Sequence, residues 1–162
     1  MRYDDQIADL ALRLGTVLGE RGLRLAAAES CTGGWLSKAL TDVPGSSGWF
    51  DRGFITYSNA AKQDMLGVSE AILHTHGAVS EAAVRAMAEG ALVNSLADIS
   101  VAISGIAGPG GATPDKPVGT VWMAWARRGD IARSRHLVYS GDREAVRAQA
   151  VMTACEGLLE LL

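Results

Sequence analysis

The hydrophobic pattern in the first third of the chain alternates between helix-like and strand-like stretches. Asp4 to Gly22 carries apolar residues three and four positions apart, which is typical of an amphipathic helix: Ile7, Leu10, Leu14 and Leu18. Leu23 to Glu29 is short and mostly apolar and predicts a buried strand, whereas Gly34 to Leu40 predicts a helix. Gly53 to Tyr57 then predicts a second strand and Asn59 to Leu66 a short helix, which together give a β-α-β unit.

The middle of the chain continues the alternation and then changes to a hairpin. Ser80 to Leu96 is rich in helix formers and begins with a serine that suits a helix cap, after a connection rich in turn residues. Ile99 to Ile106 is continuously apolar and β-branched, as a strand covered on both faces would be. Val118 to Ala126 and Ile131 to Val138 flank the turn sequence R-R-G-D and predict a β-hairpin.

These elements together predict one α/β domain. Gly141 to Leu162 closes the chain as a helix, with Asp142 as its cap. Strands that alternate with helices and end in a hairpin predict three layers, α/β/α, around a mixed sheet of about five strands. A chain of 162 residues, 48% of them hydrophobic, is the size of one domain, so we expect a single domain over residues 1–162.

Composition excludes several classes of function. The net charge is −3 and the basic residues are scattered, whereas nucleic-acid binding needs a concentrated basic face. The chain has no apolar run of the roughly 20 residues that a membrane helix requires. Cys31 and Cys155 lie far apart, and the N-terminus does not have the organisation of a signal peptide. We therefore expect a cytoplasmic protein with reduced cysteines and neither nucleic-acid nor membrane partners.

The first candidate site is the sequence E-S-C-T-G-G, which directly follows a predicted strand. Open α/β sheets place their ligand clefts at the carboxyl ends of strands. The Ser30 hydroxyl could attack a carbonyl whose oxygen is bound by the amides of Cys31 to Gly34, because the glycines allow close approach and the first helical turn has unpaired donors. Ser30 or Thr32 could instead only cap the helix, and Cys31 is an alternative nucleophile. The chain has no G-x-S-x-G sequence and no Asp and His placed as in a conventional triad.

The second candidate site is I-T-Y-S-N-A-A-K at the next strand end. It places Tyr57 at the end of the strand and Lys62 in the first turn of the following helix. A helix N-terminus disfavours an ammonium, so Lys62 would shift toward the neutral amine that a general base requires. The alternative is an ordinary solvated lysine beside an aromatic residue at a strand edge.

Seven motifs in order along the chain resemble the CinA C-terminal domain family. The resemblance runs from about Asp4 to the C-terminus. The motifs are A-E-S-C-T-G-G, L-T-D-V-P-G-S-S, Y-S-N-A-A-K, L-G-V, H-G-A-V-S-E, G-I-A-G-P-G-G-A-T-P-D-K-P-V-G-T-V-W and G-D-R-E-A-V-R. The resemblance implies an enzyme without a cofactor that hydrolyses the carboxamide of nicotinamide mononucleotide to nicotinic acid mononucleotide and ammonia, in bacterial pyridine-nucleotide salvage. It also implies a homodimer, with Ser30 as nucleophile and Tyr57 and Lys62 as further catalytic residues.

A second group of residues is expected to bind the nucleotide substrate. The glycine- and proline-rich loop Gly105 to Pro117 follows a strand end, so we expect it to surround the ligand rather than act as a linker. Arg143 could bind a substrate phosphate, or pair with Glu29 or Glu144. The expected substrate-binding residues are Cys31, Thr32, Gly33, Gly34, Ser104, Gly105, Gly108 and Arg143.

Some features depart from the family pattern or leave alternatives open. The family usually has T-G-I-A-G-P where this chain has S-G-I-A-G-P, so Ser104 keeps the hydroxyl and loses a methyl group. We expect the stand-alone form, without the N-terminal domain of full-length CinA. His74 and His76 lack a clear third ligand, so we expect no metal, and Trp122 and Trp125 are expected in the core or at a subunit interface. A serine amidase for a different small amide, and a non-catalytic nucleotide-binding module, are the alternatives.

Overall fold

The computed structural model describes residues 2–162, so Met1, the first residue of the predicted domain, lies outside the described part. The helices are α1 Tyr3–Arg21, α2 Trp35–Thr41, α3 Asn59–Leu66, α4 Glu70–His76, α5 Glu81–Val93 and α6 Arg143–Leu161. The strands are β1 Leu25–Glu29, β2 Phe50–Ile55, β3 Ile99–Gly105, β4 Thr120–Arg127 and β5 Arg133–Val138. A single 3-10 turn, Ser46–Gly48, precedes β2.

The five strands form one mixed sheet in the order β2-β1-β3-β4-β5. The first three are parallel, and β4 and β5 are added antiparallel to them and to each other. Glu29 lies opposite Ile55 on one side and Ile103 on the other, so the carboxyl ends of the three parallel strands meet at one edge. This arrangement confirms the predicted mixed α/β sheet and leaves the three strand ends available for a site.

Helices cover both faces of the sheet. Helices α1, α2 and α6 pack on one face around large apolar side chains such as Leu14, Ile103 and Met123. Helices α3, α4 and α5 pack on the other face, where the central strands present mainly alanines and the helices can approach closely. The three layers were predicted from the sequence.

The structure differs from the sequence prediction in α4 and in β2. Helix α4 begins at a cap in which the Ser69 hydroxyl accepts a hydrogen bond from the Ile72 amide. It has only seven residues, of which Leu73 is the buried one, so its hydrophobic periodicity was too short to indicate a helix. Strand β2 begins three residues earlier than predicted and ends at Ile55, before Tyr57. It is an edge strand whose residues are largely exposed, which hides its start in the hydrophobic pattern.

Helix α3, which carries Lys62, packs unusually close to α5 at Gly90. A Cβ atom added to Gly90 would lie 2.0 Å from the Leu66 carbonyl oxygen. We expect Gly90→Ala to lower the free energy of unfolding by about 1–3 kcal/mol, because two helix backbones must separate. Gly19→Ala in α1 is the matched control, since its nearest neighbour would be 3.9 Å away, and it should stabilise by about 0.5–1 kcal/mol. Urea unfolding measures both values, and equal effects would contradict the close approach.

Within residues 2–162, no helix combines the length and the apolar character needed to cross a lipid bilayer.

Candidate active site

Three residues with hydroxyl side chains lie side by side where the parallel strands end: Ser30, Thr56 and Ser104. The Ser30 amide donates to the Ile103 carbonyl (3.0 Å) and the Thr56 amide donates to the Glu29 carbonyl (2.8 Å), so the sheet ladder continues past the strand ends. Side chains alternate between faces, and the alanines two positions earlier in β1 and β3 face α5. Ser30 and Ser104 therefore point to the same face as Lys62 of α3.

The Lys62 amine nitrogen contacts the Ser30 hydroxyl directly. Lys62 Nζ lies 3.1 Å from Ser30 Oγ, and only 1% of the lysine is exposed. The Ser58 hydroxyl accepts from the Ala61 amide and caps α3, which puts Lys62 in the first turn, as predicted. The sheet edge and the helix cap thus bring together a hydroxyl group and an amine from residues that are 32 positions apart.

Two backbone carbonyls determine how the lysine amine is oriented. Lys62 Nζ donates to the carbonyl oxygens of Thr56 (2.8 Å) and Tyr57 (3.2 Å). A neutral amine has two hydrogens and one lone pair, so when both hydrogens bind these carbonyls the lone pair is left for the Ser30 hydroxyl proton. Burial lowers the pKa of Lys62 below that of a free lysine, which favours this neutral form.

The serine and the lysine open onto a cavity of about 280 Å³. Its lining comes from the strand ends, α3, the α4–α5 connection, the glycine-rich loop and the start of α6. The lining residues are Ser30, Cys31, Tyr57, Asn59, Lys62, Ala78, Val79, Ser104, Gly105, Ile106, Ala107, Gly108, Gly110, Gly111 and Arg143. The glycine-rich loop therefore borders the cavity, as its position after β3 predicted.

Arg143 connects the two sides of the cavity mouth. Its guanidinium donates to the Gly108 carbonyl oxygen (2.7 Å) and lies 3.4 Å from the Tyr57 hydroxyl. These contacts replace the pairing with Glu29 or Glu144 that the sequence left open. Tyr57 is 63% exposed, so its ring lies at the entrance.

Ser104 and Gly105 form the floor of the cavity beside Ser30. Ser104 is 1% exposed and lies opposite Ser30 in the extended ladder. A Cβ atom on Gly105 would lie 2.7 Å from a Val121 methyl carbon, which explains why a glycine is needed where β3 passes into the loop.

The prediction that the first turn of α2 has unpaired donors is wrong. The buried Glu29 carboxylate accepts hydrogen bonds from the amides of Gly34 (3.3 Å), Leu36 (3.0 Å) and Ser37 (2.9 Å). The Gly33 amide donates to the Ser30 carbonyl, 3.0 Å away. Gly33 and Gly34 have φ values of 59° and 104°, which favour glycine, so they shape the turn while their amides are already engaged.

Thr32 also contacts Glu29 rather than the cavity. Its hydroxyl donates to a Glu29 carboxylate oxygen at 2.7 Å. Of the four residues from Cys31 to Gly34, only Cys31 lines the cavity. Within residues 2–162 the amides of Cys31 and Thr32 donate to no other main-chain group, and the Cys31 amide interacts only with its own thiol, so these two amides are the donors of the turn that a ligand can use.

Two residues of this site were missed as functional candidates by the sequence analysis, Glu29 and Arg147. Glu29 was considered only as a partner for Arg143, although it precedes Ser30 in A-E-S-C-T-G-G. Arg147 ends the motif G-D-R-E-A-V-R, and its guanidinium donates to the carbonyls of Cys31 and Thr32, both at 3.0 Å. The sequence signal that could have identified them is that each belongs to one of the seven family motifs.

The Cys31 thiol is poorly placed to act as a nucleophile. Cys31 belongs to the hydrophobic core on the α1 and α6 side of the sheet. Burial raises the pKa of its thiol to about 11, so little thiolate is present near neutral pH.

His74 and His76 lie in the last turn of α4. Neither belongs to the cavity lining. Among residues 2–162, no three histidine, cysteine, aspartate or glutamate side chains gather as ligands for a metal ion.

A larger groove of about 460 Å³ lies between α1 and α2 and includes Trp35, Leu12 and the ion pair of Lys38 with Asp42. It holds neither Ser30 nor Lys62. The smaller cavity is therefore the candidate active site, because it contains the contact between the Ser30 hydroxyl and the Lys62 amine. Trp125, 4% exposed, is a core residue as predicted, whereas Trp122 is half-buried and stacks on His136.

Proteins of known sequence resemble this chain over nearly its full length. An Escherichia coli K12 protein named nicotinamide-nucleotide amidohydrolase PncC is 52% identical over 155 residues, which cover 96% of this chain and 94% of that protein. A Pseudomonas putida protein of the same name is 52% identical over 159 residues, covering 97% of this chain and 98% of that protein. An Akkermansia muciniphila CinA-like protein is 55% identical over 143 residues, which are 88% of this chain but 34% of that protein.

Solved structures have the same fold. The crystal structure of the competence/damage inducible protein CihA from Agrobacterium tumefaciens superposes with a TM-score of 0.94 at 46% identity, over 96% of this chain and 95% of that one. A CinA superfamily protein from Escherichia coli gives 0.93 at 40% identity, over 100% of this chain and 94% of that one. The profile of the CinA C-terminal domain matches residues 7–162. The chain therefore belongs to the CinA C-terminal domain family.

Proposed function

We propose that this chain is a nicotinamide-nucleotide amidohydrolase, which converts nicotinamide mononucleotide and water to nicotinic acid mononucleotide and ammonia. The observation that carries the proposal is the buried contact between Lys62 Nζ and Ser30 Oγ, at 3.1 Å. Two relatives that are 52% identical over nearly their whole length bear the name of this activity. A role in pyridine-nucleotide salvage follows from the reaction itself.

The first half of the reaction forms an ester with the enzyme. Neutral Lys62 accepts the Ser30 hydroxyl proton while Ser30 Oγ bonds to the carboxamide carbon. The negative oxygen of the tetrahedral intermediate is stabilised by the amides of Cys31 and Thr32, the donors of the turn that remain free. Lys62 then gives the proton to the amide nitrogen, the C–N bond breaks, and ammonia leaves.

The second half of the reaction releases the acid. A water molecule takes the place of ammonia, Lys62 accepts a proton from it, and the hydroxide oxygen bonds to the ester carbon. The C–O bond to Ser30 breaks, the serine oxygen recovers its proton from Lys62, and nicotinic acid mononucleotide dissociates. The free enzyme is thereby restored without a cofactor or a net change in the lysine.

The remaining cavity residues are proposed to hold the nucleotide. The Ser104 hydroxyl, beside Ser30 on the cavity floor, can bind the carboxamide group, while Gly105 allows the chain to turn beneath it. Arg143 carries a positive charge at the mouth and is held by Gly108 and Tyr57, so it can attract the phosphate group. Tyr57 supplies a ring and a hydroxyl at the entrance.

Ammonia release by the purified chain tests this proposal. We expect release from nicotinamide mononucleotide and much slower release from nicotinamide and from aliphatic amides, because these lack the phosphate and ribose contacts. Activity should be unchanged after exhaustive chelation, since the proposed steps use a hydroxyl, an amine and backbone amides.

Three other outcomes would change the proposal. Faster release from another amide would make the chain a serine amidase with a different substrate. Binding of the mononucleotide without turnover would indicate a nucleotide-binding module. Loss of activity on chelation and recovery with a divalent ion would contradict the serine and lysine mechanism.

We also propose that the protein works in the cytoplasm as a homodimer. Both cysteines are free thiols, which suits a reducing compartment. The exposed side chains of Val93, Leu96 and Ile131 provide apolar surface for a second copy.

A further inference from the structure

Glu29 is a carboxylate that is completely buried beside the nucleophile. Its two oxygens accept from the Thr32 hydroxyl (2.7 Å), the amides of Gly34 (3.3 Å) and Leu36 (3.0 Å), and the Ser37 amide (2.9 Å) and hydroxyl (2.7 Å). Burying a charge is costly unless it is well hydrogen-bonded, and five donors meet that requirement. This carboxylate neither lines the cavity nor takes part in the steps above.

Arg147 holds the same turn from the opposite side. Its guanidinium donates to the carbonyls of Cys31 and Thr32 and lies over the Trp35 ring, 5.5 Å from its centroid. Glu29 of β1 therefore binds the Thr32 hydroxyl and the Gly34 amide of the turn and ties them to the start of α2. Arg147 of α6 binds two carbonyl groups of the same turn. The Ser30 amide is fixed separately to Ile103 of β3.

We propose that Glu29 and Arg147 are positioning residues for catalysis, which fix the turn of residues 30–34 so that its two free amides face the developing oxyanion. Neither side chain needs to touch substrate, because both act through the backbone of the turn. The proposal rests on the amidase function above. It assigns the acid of A-E-S-C-T-G-G and the last arginine of G-D-R-E-A-V-R to one task.

Glu29→Gln tests the inner contact with an almost unchanged shape. A carboxamide has one oxygen and one NH₂ group in place of the two carboxylate oxygens. Its NH₂ group must therefore face N–H groups in either orientation: the Ser37 amide in one, the amides of Gly34 and Leu36 in the other. We expect kcat for nicotinamide mononucleotide to fall about 100-fold, with KM changed less than about threefold, because the turn moves while the rest of the cavity stays. Leu18→Ala in α1, on the face of the sheet opposite Ser30 and Lys62, is the control for lost stability and should keep its kcat.

Arg147→Met tests the outer contact and does not depend on whether Glu29→Gln folds. Methionine can still pack on Trp35, but it cannot donate to the carbonyls of Cys31 and Thr32. We expect kcat to fall about tenfold with little change in KM. Arg13→Met, at an exposed arginine of α1, is the matched control and should retain wild-type kcat.

A second measurement reports the position of the turn without the amide substrate. The rate at which a small fluorophosphonate labels Ser30, followed by mass spectrometry, depends on the same oxyanion donors. It should fall in both variants and in neither control.

Each outcome decides the proposal separately from the proposed function. If the wild type does not hydrolyse the mononucleotide, the amidase function fails, and labelling alone tests the turn. If the wild type is active and folded Glu29→Gln or Arg147→Met keeps kcat and labelling within twofold of the wild type, that residue only stabilises the fold and its positioning role is overturned. If Glu29→Gln does not fold, the result for Arg147→Met is used alone. A kcat and a labelling rate within twofold of the wild type would then overturn the proposal.

Discussion

Replacing Ser30 with alanine is expected to lower kcat for nicotinamide mononucleotide by about 10⁶-fold, the loss seen when the nucleophile of a serine hydrolase is removed. In the proposed mechanism the hydroxyl oxygen forms the ester, so no bond to the enzyme can form without it. Ser30 is 8% exposed, and the alanine would leave the cavity and the cation of Arg143 intact. Binding of the mononucleotide, measured by calorimetry, should therefore change little.

Cys31→Ala is the control for this prediction. The Cys31 thiol packs in the core with a pKa raised to about 11 by burial, so its removal should change kcat only a fewfold. Ammonia release and mass spectrometry of trapped enzyme measure both variants. Substantial turnover in Ser30→Ala, together with loss in Cys31→Ala, would make the thiol the nucleophile and reject the serine mechanism.

The meeting of Ser30 and Lys62 could be predicted because it depends on local rules. Parallel strands end at one edge of the sheet, and a helix that follows a strand begins at that edge. The position of Ser58 fixed the start of α3, so Lys62 had to lie in the first turn near the neighbouring strand end. This conclusion did not depend on the exact bounds of the strands, and the predicted bounds of β2 were in fact wrong.

The contacts of Glu29 and Arg147 could not be predicted in the same way. Arg147 reaches the turn from 115 and 116 residues further along the chain, and no local pattern specifies how α6 is rotated against α2. A glycine-rich turn after a strand ordinarily presents free amides, which is why the sequence favoured an anion site there. An acidic residue at the end of the strand occupies those donors instead; its place in A-E-S-C-T-G-G marked it, but only its burial and its hydrogen bonds show which groups it binds.

Replacing Lys62 with methionine or arginine is expected to lower kcat by about 10²- to 10⁴-fold, the usual contribution of a general base. Methionine cannot accept a proton, and arginine keeps its charge at any accessible pH. If Lys62→Arg retained substantial turnover, the residue would act as a fixed charge, and Tyr57 or a water molecule would have to accept the proton. Lys38→Met, on α2 and outside the cavity, is the control and should retain wild-type kcat.

The pH dependence of turnover identifies the same group independently. A base must be neutral, so kcat should rise with pH through the pKa of Lys62 and level off above it. Burial disfavours the ammonium and lowers this pKa, so the rise should lie at lower pH than a free lysine would give. Tyr57→Phe removes the phenol but keeps the backbone carbonyl that binds Lys62 Nζ, so the rise should persist in this variant. If the rise disappeared in Tyr57→Phe, the titrating base would be the tyrosine, because the lysine and both carbonyls that orient it remain.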